Sequence, residues 1–317
     1  MRIRVATANI AGGAREENTN LSKYEFIGDL LSGVDIIGVQ EVIRVSEVGN
    51  ARIIRDDIKE LCNSSGLLNY HHYFFPYLDS TQQSHPKKWS SKIFDLYYDK
   101  GYQILEGTGI LVKQQHCVCD FWHNDRAGYA LGQVIPWYSN TPTFYLGDRD
   151  TQPRTLLLVR VKIGEKFVLF CCVHLATLKE ENIKRDEEGS RLATQKAIDI
   201  RAKQINWIVE YIKSYQDSYQ QESGVREPII LVGDFNSEPM SSELNGLNRL
   251  NLELVPFDIK DIGYTHRKYK IIIDLIYATR KNIDGKAHII NLQELELSEN
   301  ERISDHNPVI AELELHD

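Results

Sequence analysis

Apolar runs in this chain repeatedly meet polar residues at their ends. "IRVATAN" closes on Asn9, "DIIGVQE" on Glu41, "FVLFCCVH" on His174 and "IILVGD" on Asp234, with Asn236 two residues on; "SDHNPVIAELEL" places Asp305 and His306 just before another run. Taken singly, each has an ordinary use: Glu41 can start a helix, His174 can be a core histidine, Asp305 can be a cap, and the Gly, Asp and Asn of "GDFNSEP" are residues with which a chain leaves a sheet. Taken together, three carboxylates, two amides and two histidines form the oxygen-rich set that magnesium prefers, with groups left over to orient water and stabilise a phosphate. Asp274 differs in standing inside an apolar run, "IIIDLIY". An unpaired buried carboxylate is costly, so a partner is expected, and His306 is the partner we expect.

Other chemistries start weak. The chain has no His-Glu-x-x-His, no Cys-x-x-Cys and no phosphate loop ending in Gly-Lys-Ser/Thr. His71 and His72 would point to opposite faces of a strand, which disfavours a joint metal site. Cys117-x-Cys119 lacks the spacing of a structural zinc knuckle and reads as a buried thiol pair.

Short apolar or alternating runs predict strands at 2–9, 34–41, 107–113, 155–163, 166–174, 228–234, 271–278 and 307–315. Helices are predicted at about 20–32, with Asn20 as cap and a stop at Gly33, at about 50–62, and at about 190–214, where Ala197, Ile200, Ile205, Ile208 and Ile212 face away from a charged side. Many strands with occasional helices, not strictly alternating, point to an α+β sandwich rather than a doubly wound sheet. No repeat, low-complexity tract or Pro/Gly linker interrupts the 317 residues, and one domain spanning 1–317 is expected.

Composition narrows the setting. With 45 acidic and 37 basic residues the net charge is −8, so no global positive field draws the chain to nucleic acid or anionic lipid, although a local basic surface remains open. Five cysteines without a disulfide-like pattern suit a reduced compartment. The opening "MRIRVATANI" enters a strand without a signal-like apolar region, and no run approaches a membrane span, so the expectation is a cytoplasmic protein.

The motifs "TANI", "GVQEV", "GTGILVK", "VHLAT", "GDFNSEP", "IDLIYA" and "SDHNPV", in this order over nearly the whole chain, resemble the endonuclease/exonuclease/phosphatase superfamily with its deoxyribonuclease I-like fold. The resemblance implies a two-sheet β-sandwich flanked by helices, in four layers, and a divalent cation, magnesium with manganese as a substitute, serving phosphoester cleavage. Carried over by residue, it implies that Glu41 is the principal metal ligand, with Asn9 and Asp305 near the metal, directly or through water. Asp234 would orient and deprotonate the attacking water, and Asn236 would hold that water or a phosphate oxygen. His306, set by Asp274, resembles the His-Asp pair that contacts the scissile phosphate. His174 resembles the histidine of the branches containing deoxyribonuclease I, sphingomyelinases and tyrosyl-DNA phosphodiesterases. The exonuclease III-like branch typically has no histidine there, which argues against a plain abasic-site endonuclease.

The substrate is less legible. "HHYFFPY" followed by "HPKKWSSKIFDLYY" interleaves aromatics with Lys87, Lys88 and Lys92, as base stacking and backbone contact to a single strand require. Residues 121–154 read as a variable insertion offering Trp122, Trp137, Tyr138 and Tyr145, and Arg154 at its end is a candidate phosphate clamp. The charged segment "KEENIKRDEEGSR" could gate a cleft. Nucleic acid, DNA or RNA, is therefore the expected partner, and a phospholipid, phosphoinositide or other small phosphoester is the alternative. Against the inositol-polyphosphate phosphatases, the Asp274 stretch lacks their Trp-x-Asp-Arg pattern. A catalytically dead binding module is disfavoured because no position of the carried-over set is replaced.

Overall fold

The structure, a computed structural model, describes residues 1–11, 20–49, 52–80, 97, 100–119, 131–135, 154–178, 180–182, 194–224, 226–258, 263–292 and 303–316. Its strands are β1 (Arg2–Asn9), β2 (Ile36–Glu47), β3 (Ile53–Asp56), β4 (Tyr70–Asp79), β5 (Tyr102–Lys113), β6 (Cys117–Cys119), β7 (Leu131–Ile135), β8 (Arg154–Ile163), β9 (Lys166–His174), β10 (Ile229–Asp234), β11 (Leu252–Leu254), β12 (Asp274–Thr279), β13 (Ile283–Ile289) and β14 (Val309–Leu315). The α-helices are α1 (Asn20–Leu30), α2 (Asp57–Asn63) and α3 (Gln195–Ser223), and a 3-10 helix runs Ser242–Leu250.

The strands form two sheets. One has the order β13-β14-β1-β2-β5-β4, with β3 beside β2, and the other β11-β12-β10-β9-β8-β6, with β7 beside β8. Each is mixed: β1/β2 and β9/β10 are parallel and the remaining pairs antiparallel. The expected α+β sandwich is what forms. Val5, Ile36 and Ile110 of the first sheet share a buried cluster with Val159, Phe170, Cys172, Val232 and Ile276 of the second. Burying each such large apolar side chain contributes about 1.5–3 kcal/mol relative to exposure, which holds the sheets face to face. On the outer face of the second sheet, α3 buries Ile205, Ile208, Val209 and Ile212, the i, i+3, i+4, i+7 stripe of an amphipathic helix. Thr194 caps α3 by accepting from the Ala197 N–H, and Gly224 ends it in the left-handed region at φ 74°.

Two glycines permit close approach. A Cβ on Gly38 of β2 would lie 2.5 Å from Val232 and 2.9 Å from the Cys172 sulfur of the opposite sheet. Gly233, at φ 152°, would place a Cβ 1.9 Å from the Val173 carbonyl oxygen. No side chain fits either place.

Several expectations need correcting. β2 does not stop at Glu41 but continues to Glu47, and the predicted helix 50–62 begins as strand β3, with α2 starting only at Asp57. The helix placed at 190–214 runs Gln195–Ser223, and β12 starts at Asp274 rather than at 271. Sequence reading passed over β13. The aromatic-rich insertion 121–154 up to Arg154, apart from the β7 backbone, and Lys87, Lys88 and Lys92 lie outside the described residues, as does most of the charged segment 179–191. Among the described residues no helix is long and apolar enough to cross a membrane, and Cys62, Cys171 and Cys172 are free thiols.

Candidate active site

Strand register puts three of the expected side chains in a row. Asp234, the last residue of β10, pairs with His174 at the end of β9 on one side and with Asp274 at the start of β12 on the other. The parallel pairing aligns two strand mouths, and the antiparallel pairing brings the entry of β12 to the same edge. All three are buried, Asp274 completely.

His306, from the segment entering β14, closes over this row. Its Nδ1 lies 2.8 Å from Asp274 Oδ2 and its Nε2 3.8 Å from Asp234 Oδ2. One imidazole thus spans two carboxylates that would otherwise face each other as like charges. Burial works against its cation, but Asp274, Asp234 and Asp305 together hold the His306 pKa well above the ordinary histidine range. For Asp234, burial and then the Asp274 charge push the carboxyl up to about 7, with His306 and the Asn236 N–H pulling the other way.

Asp234 uses its two oxygens differently. Oδ1 accepts the backbone N–H of Asn236 at 2.9 Å. Oδ2 faces Asn9 Nδ2 at 3.2 Å, His174 Nε2 at 3.6 Å and His306 Nε2 at 3.8 Å. Asn236 stands at φ 49° and donates its side-chain N–H to the Leu175 carbonyl, while the Leu175 N–H donates to the Asp234 carbonyl. Leu175 therefore staples the His174 strand mouth to the Asp234–Asn236 turn.

Behind that staple lies a fully buried guanidinium. Arg201 of α3 pairs with both oxygens of Glu181 at 3.0 Å, donates to Glu243 Oε1 at 3.3 Å and to the Ala176 carbonyl at 3.2 Å. Glu243 also accepts from the Ser237 hydroxyl at 2.8 Å, and Gln204 accepts the Ala176 N–H at 3.0 Å. The turns after β9 and β10 are thus held from beneath by one ionic hub.

The opposite sheet supplies Asn9 and Glu41. Asn9 Nδ2 donates to Glu41 Oε1 at 3.0 Å as well as to Asp234, and its Oδ1 accepts the Ala11 N–H at 3.0 Å. Glu41 is half-buried at φ 55°, left-handed backbone that a non-glycine residue adopts at a cost. Two carboxylates converging on one neutral amide form a negatively biased site, the donor chemistry of a hard divalent cation, so the Glu41 carboxylate fits that group, while Asn9 turns its amide nitrogen to both carboxylates and orients them. Asp305 is an exposed residue whose carboxylate lies within 4.8 Å of ligand nitrogens of His266 and His306. Although the residue as a whole reaches solvent, its carboxyl group is crowded by neighbours, which raises its pKa, but the charges of His306, His266 and Lys23 outweigh that and lower it overall.

Arg154 stands on the His174 side. It is the first residue of β8, 2% exposed, with its guanidinium carbon 5.5 Å from the Tyr77 ring centroid, and its Nε has no hydrogen-bond partner among the described residues. Tyr77 packs edge-on to His174 at 6.2 Å and donates its hydroxyl to Glu106. Sequence reading singled out neither Glu106 nor His266, and took Tyr77 only as part of the aromatic run "HHYFFPY". His266 is bridged to His306 by backbone and packs on its ring at 4.7 Å. Their only sequence signal is polarity within or beside a strand, which ordinary surface residues share.

A model described as Endonuclease/Exonuclease/phosphatase family matches residues 6–306. A sequence search of curated proteins returns no match. Among solved structures, the chain resembles the human Nocturnin catalytic domain with bound sulfate at 16% identity and TM-score 0.58, covering 99% of this chain and 95% of that one. It is similar to a mannosyl-6-phosphatase of Bacteroides thetaiotaomicron at 16% identity and TM-score 0.61, covering 99% and 100%, and to truncated Caenorhabditis elegans TDP2 at 14% identity and TM-score 0.54, covering 99% and 98%. At these identities the likeness establishes the fold.

Proposed function

Because the chain belongs to the endonuclease/exonuclease/phosphatase family, whose members are divalent-metal-dependent phosphoester hydrolases, we propose that it is a magnesium-dependent phosphodiesterase cleaving DNA or RNA by in-line attack of water. The observation that carries this reading is the buried row His174–Asp234–Asp274, closed by His306 and faced across the sandwich by Asn9 and Glu41.

In this reading Asp234 Oδ2 accepts the proton of the attacking water, since Oδ1 is engaged by Asn236. Asn236, fixed through Leu175, orients that water or a phosphate oxygen. His306, with Nδ1 on Asp274, turns Nε2 towards the reacting phosphate, and His174 stabilises the same charge from the neighbouring strand. Arg154 contributes a buried cation for a substrate phosphate. A cation held by Glu41, with Asn9 and Asp305 directly or through water, supplies Lewis-acid stabilisation of the phosphate oxygens when bound, with manganese able to replace magnesium. Nucleic acid is favoured by the aromatic and lysine-rich stretch after residue 70, and a cytoplasmic setting by the free thiols.

A small phosphoester is the second reading, favoured by the net charge of −8 and by likeness to a protein named as a mannosyl-6-phosphatase. The deciding experiment is a gel assay of end-labelled single-stranded DNA and RNA with magnesium or with chelator, beside Asp234→Asn. Magnesium-dependent cleavage lost in the variant supports the nuclease. Intact polymer with phosphate released from sugar phosphates or phosphoinositides would replace it with the second reading.

A further inference from the structure

β2 changes neighbours in the middle. It pairs with β1 as far as Gln40, opposite Asn9, and with β3 from Arg44, opposite Asp56, so residues 41–43 have no strand on that edge. On its other edge the pairing with β5 shifts register between Val39 and Val42. Glu41 occupies this doubly interrupted stretch at φ 55°. A bulge leaves backbone groups without ladder partners, and closing it by one residue would turn alternate side chains to the other face.

One carboxylate occupies the gap. Asp57, the first residue of α2, is completely buried, and its Oδ2 accepts the Ile43 N–H at 2.9 Å, two residues past Glu41. Its Oδ1 accepts the Tyr24 hydroxyl of α1 at 2.5 Å and Arg55 Nε of β3 at 2.7 Å. Asp57 is not needed as the helix cap, because Asp56 accepts the Lys59 N–H. Tyr24 and Arg55 are 3% and 8% exposed, so three elements converge on a dry carboxylate whose other oxygen holds one amide of β2.

We propose that Asp57 is a positioning residue for Glu41: by taking the Ile43 N–H in place of a strand partner, it stabilises the bulge that aims Glu41 at the cation. This rests on the reading of Glu41 as a metal-binding carboxylate. Such supporting contacts, when lost, typically cost about 10- to 100-fold in metal affinity.

The test is calorimetric titration of the purified full chain with Mn²⁺. Asp57→Ala should weaken binding by about tenfold or more, and Arg55→Gln, which removes one of the two groups that hold Oδ1, by a smaller factor. Leu61→Ala in the same helix, a buried apolar truncation, should leave affinity unchanged while lowering the melting temperature. Folded Asp57→Ala that binds Mn²⁺ like the wild type overturns the proposal; if that variant does not fold, wild-type affinity in Arg55→Gln overturns it. Wild type that binds no Mn²⁺ overturns this proposal together with the metal reading, whereas wild-type binding with unchanged variants overturns this proposal alone.

Discussion

His306 Nδ1 hydrogen-bonds to Asp274 Oδ2 at 2.8 Å although 32 residues separate them and both side chains are buried. The carboxylate engages Nδ1, favours the imidazolium and, in the proposed mechanism, leaves Nε2 for the substrate. Asp274→Asn preserves shape but removes that charge. Steady-state kinetics should show turnover reduced by at least about a hundredfold with KM little altered. Near-normal turnover would mean that the pair is structural only.

Glu41 gives a prediction that needs no substrate. If it anchors a cation, thermal unfolding with saturating magnesium or manganese should occur at a higher temperature than with chelator. Ligand at a hundred times its Kd adds about 2.7 kcal/mol. Glu41→Gln should lose most of that difference while unfolding normally in chelator. An equal cation effect in the variant would move the site elsewhere.

Arg201 neutralises Glu181 and Glu243 where water is excluded. Arg201→Met leaves both carboxylates without their cation and should cost about 3–5 kcal/mol in urea unfolding. Adding Glu243→Gln should recover part of the loss, because one uncompensated charge is then gone. Additive losses in the double variant would show that the hub does not act as a unit.

Asp35, just before β2, accepts the Arg4 N–H at 2.8 Å and lies 3.0 Å from His116 Nε2. Partial burial raises its pKa, but the bonds from His116 and Arg4 outweigh that and lower it below the usual 3.8. A carboxyl depressed in the folded state stabilises above its unfolded pKa, and that contribution disappears as pH falls through the folded value. Unfolding in urea at pH 5 and pH 3 should therefore show a smaller acid loss for Asp35→Asn than for the wild type. Solvent screening limits the difference to no more than about 1 kcal/mol.

Much of this was readable because the chemistry sits where apolar runs stop. "IILVGD" and "FVLFCCVH" are strands with unmistakable ends, and register alone then makes Asp234 and His174 neighbours. Less legible were places where one strand serves two environments. The half-exposed Ile53 and Ile54 of β3 share apolar character with the buried Ile58 of α2, so the stretch reads as one helical stripe until the hairpin with β2 is known. Glu41 looks like a strand end because the bulge beneath it depends on Asp57 and Tyr24, whose convergence no local pattern announces. Glu106 and His266 were missed, and Tyr77 was seen only as one aromatic of a run, for the same reason: each joins the candidate site only through a partner distant in sequence.

The bare α-carbon of Gly38 sets the gauge between the two half-sites. Asn9 and Glu41 ride on one sheet, His174, Asp234 and Asp274 on the other, and the sheets meet where Gly38 faces Val232 and Cys172. A side chain there would act as a shim: each sheet could keep its own hydrogen bonds while the Asn9 bridge from Glu41 to Asp234 parted. Alignment of the proposed active site is thus a spacing between two slabs, and it can be lost without any of the site's own residues being touched.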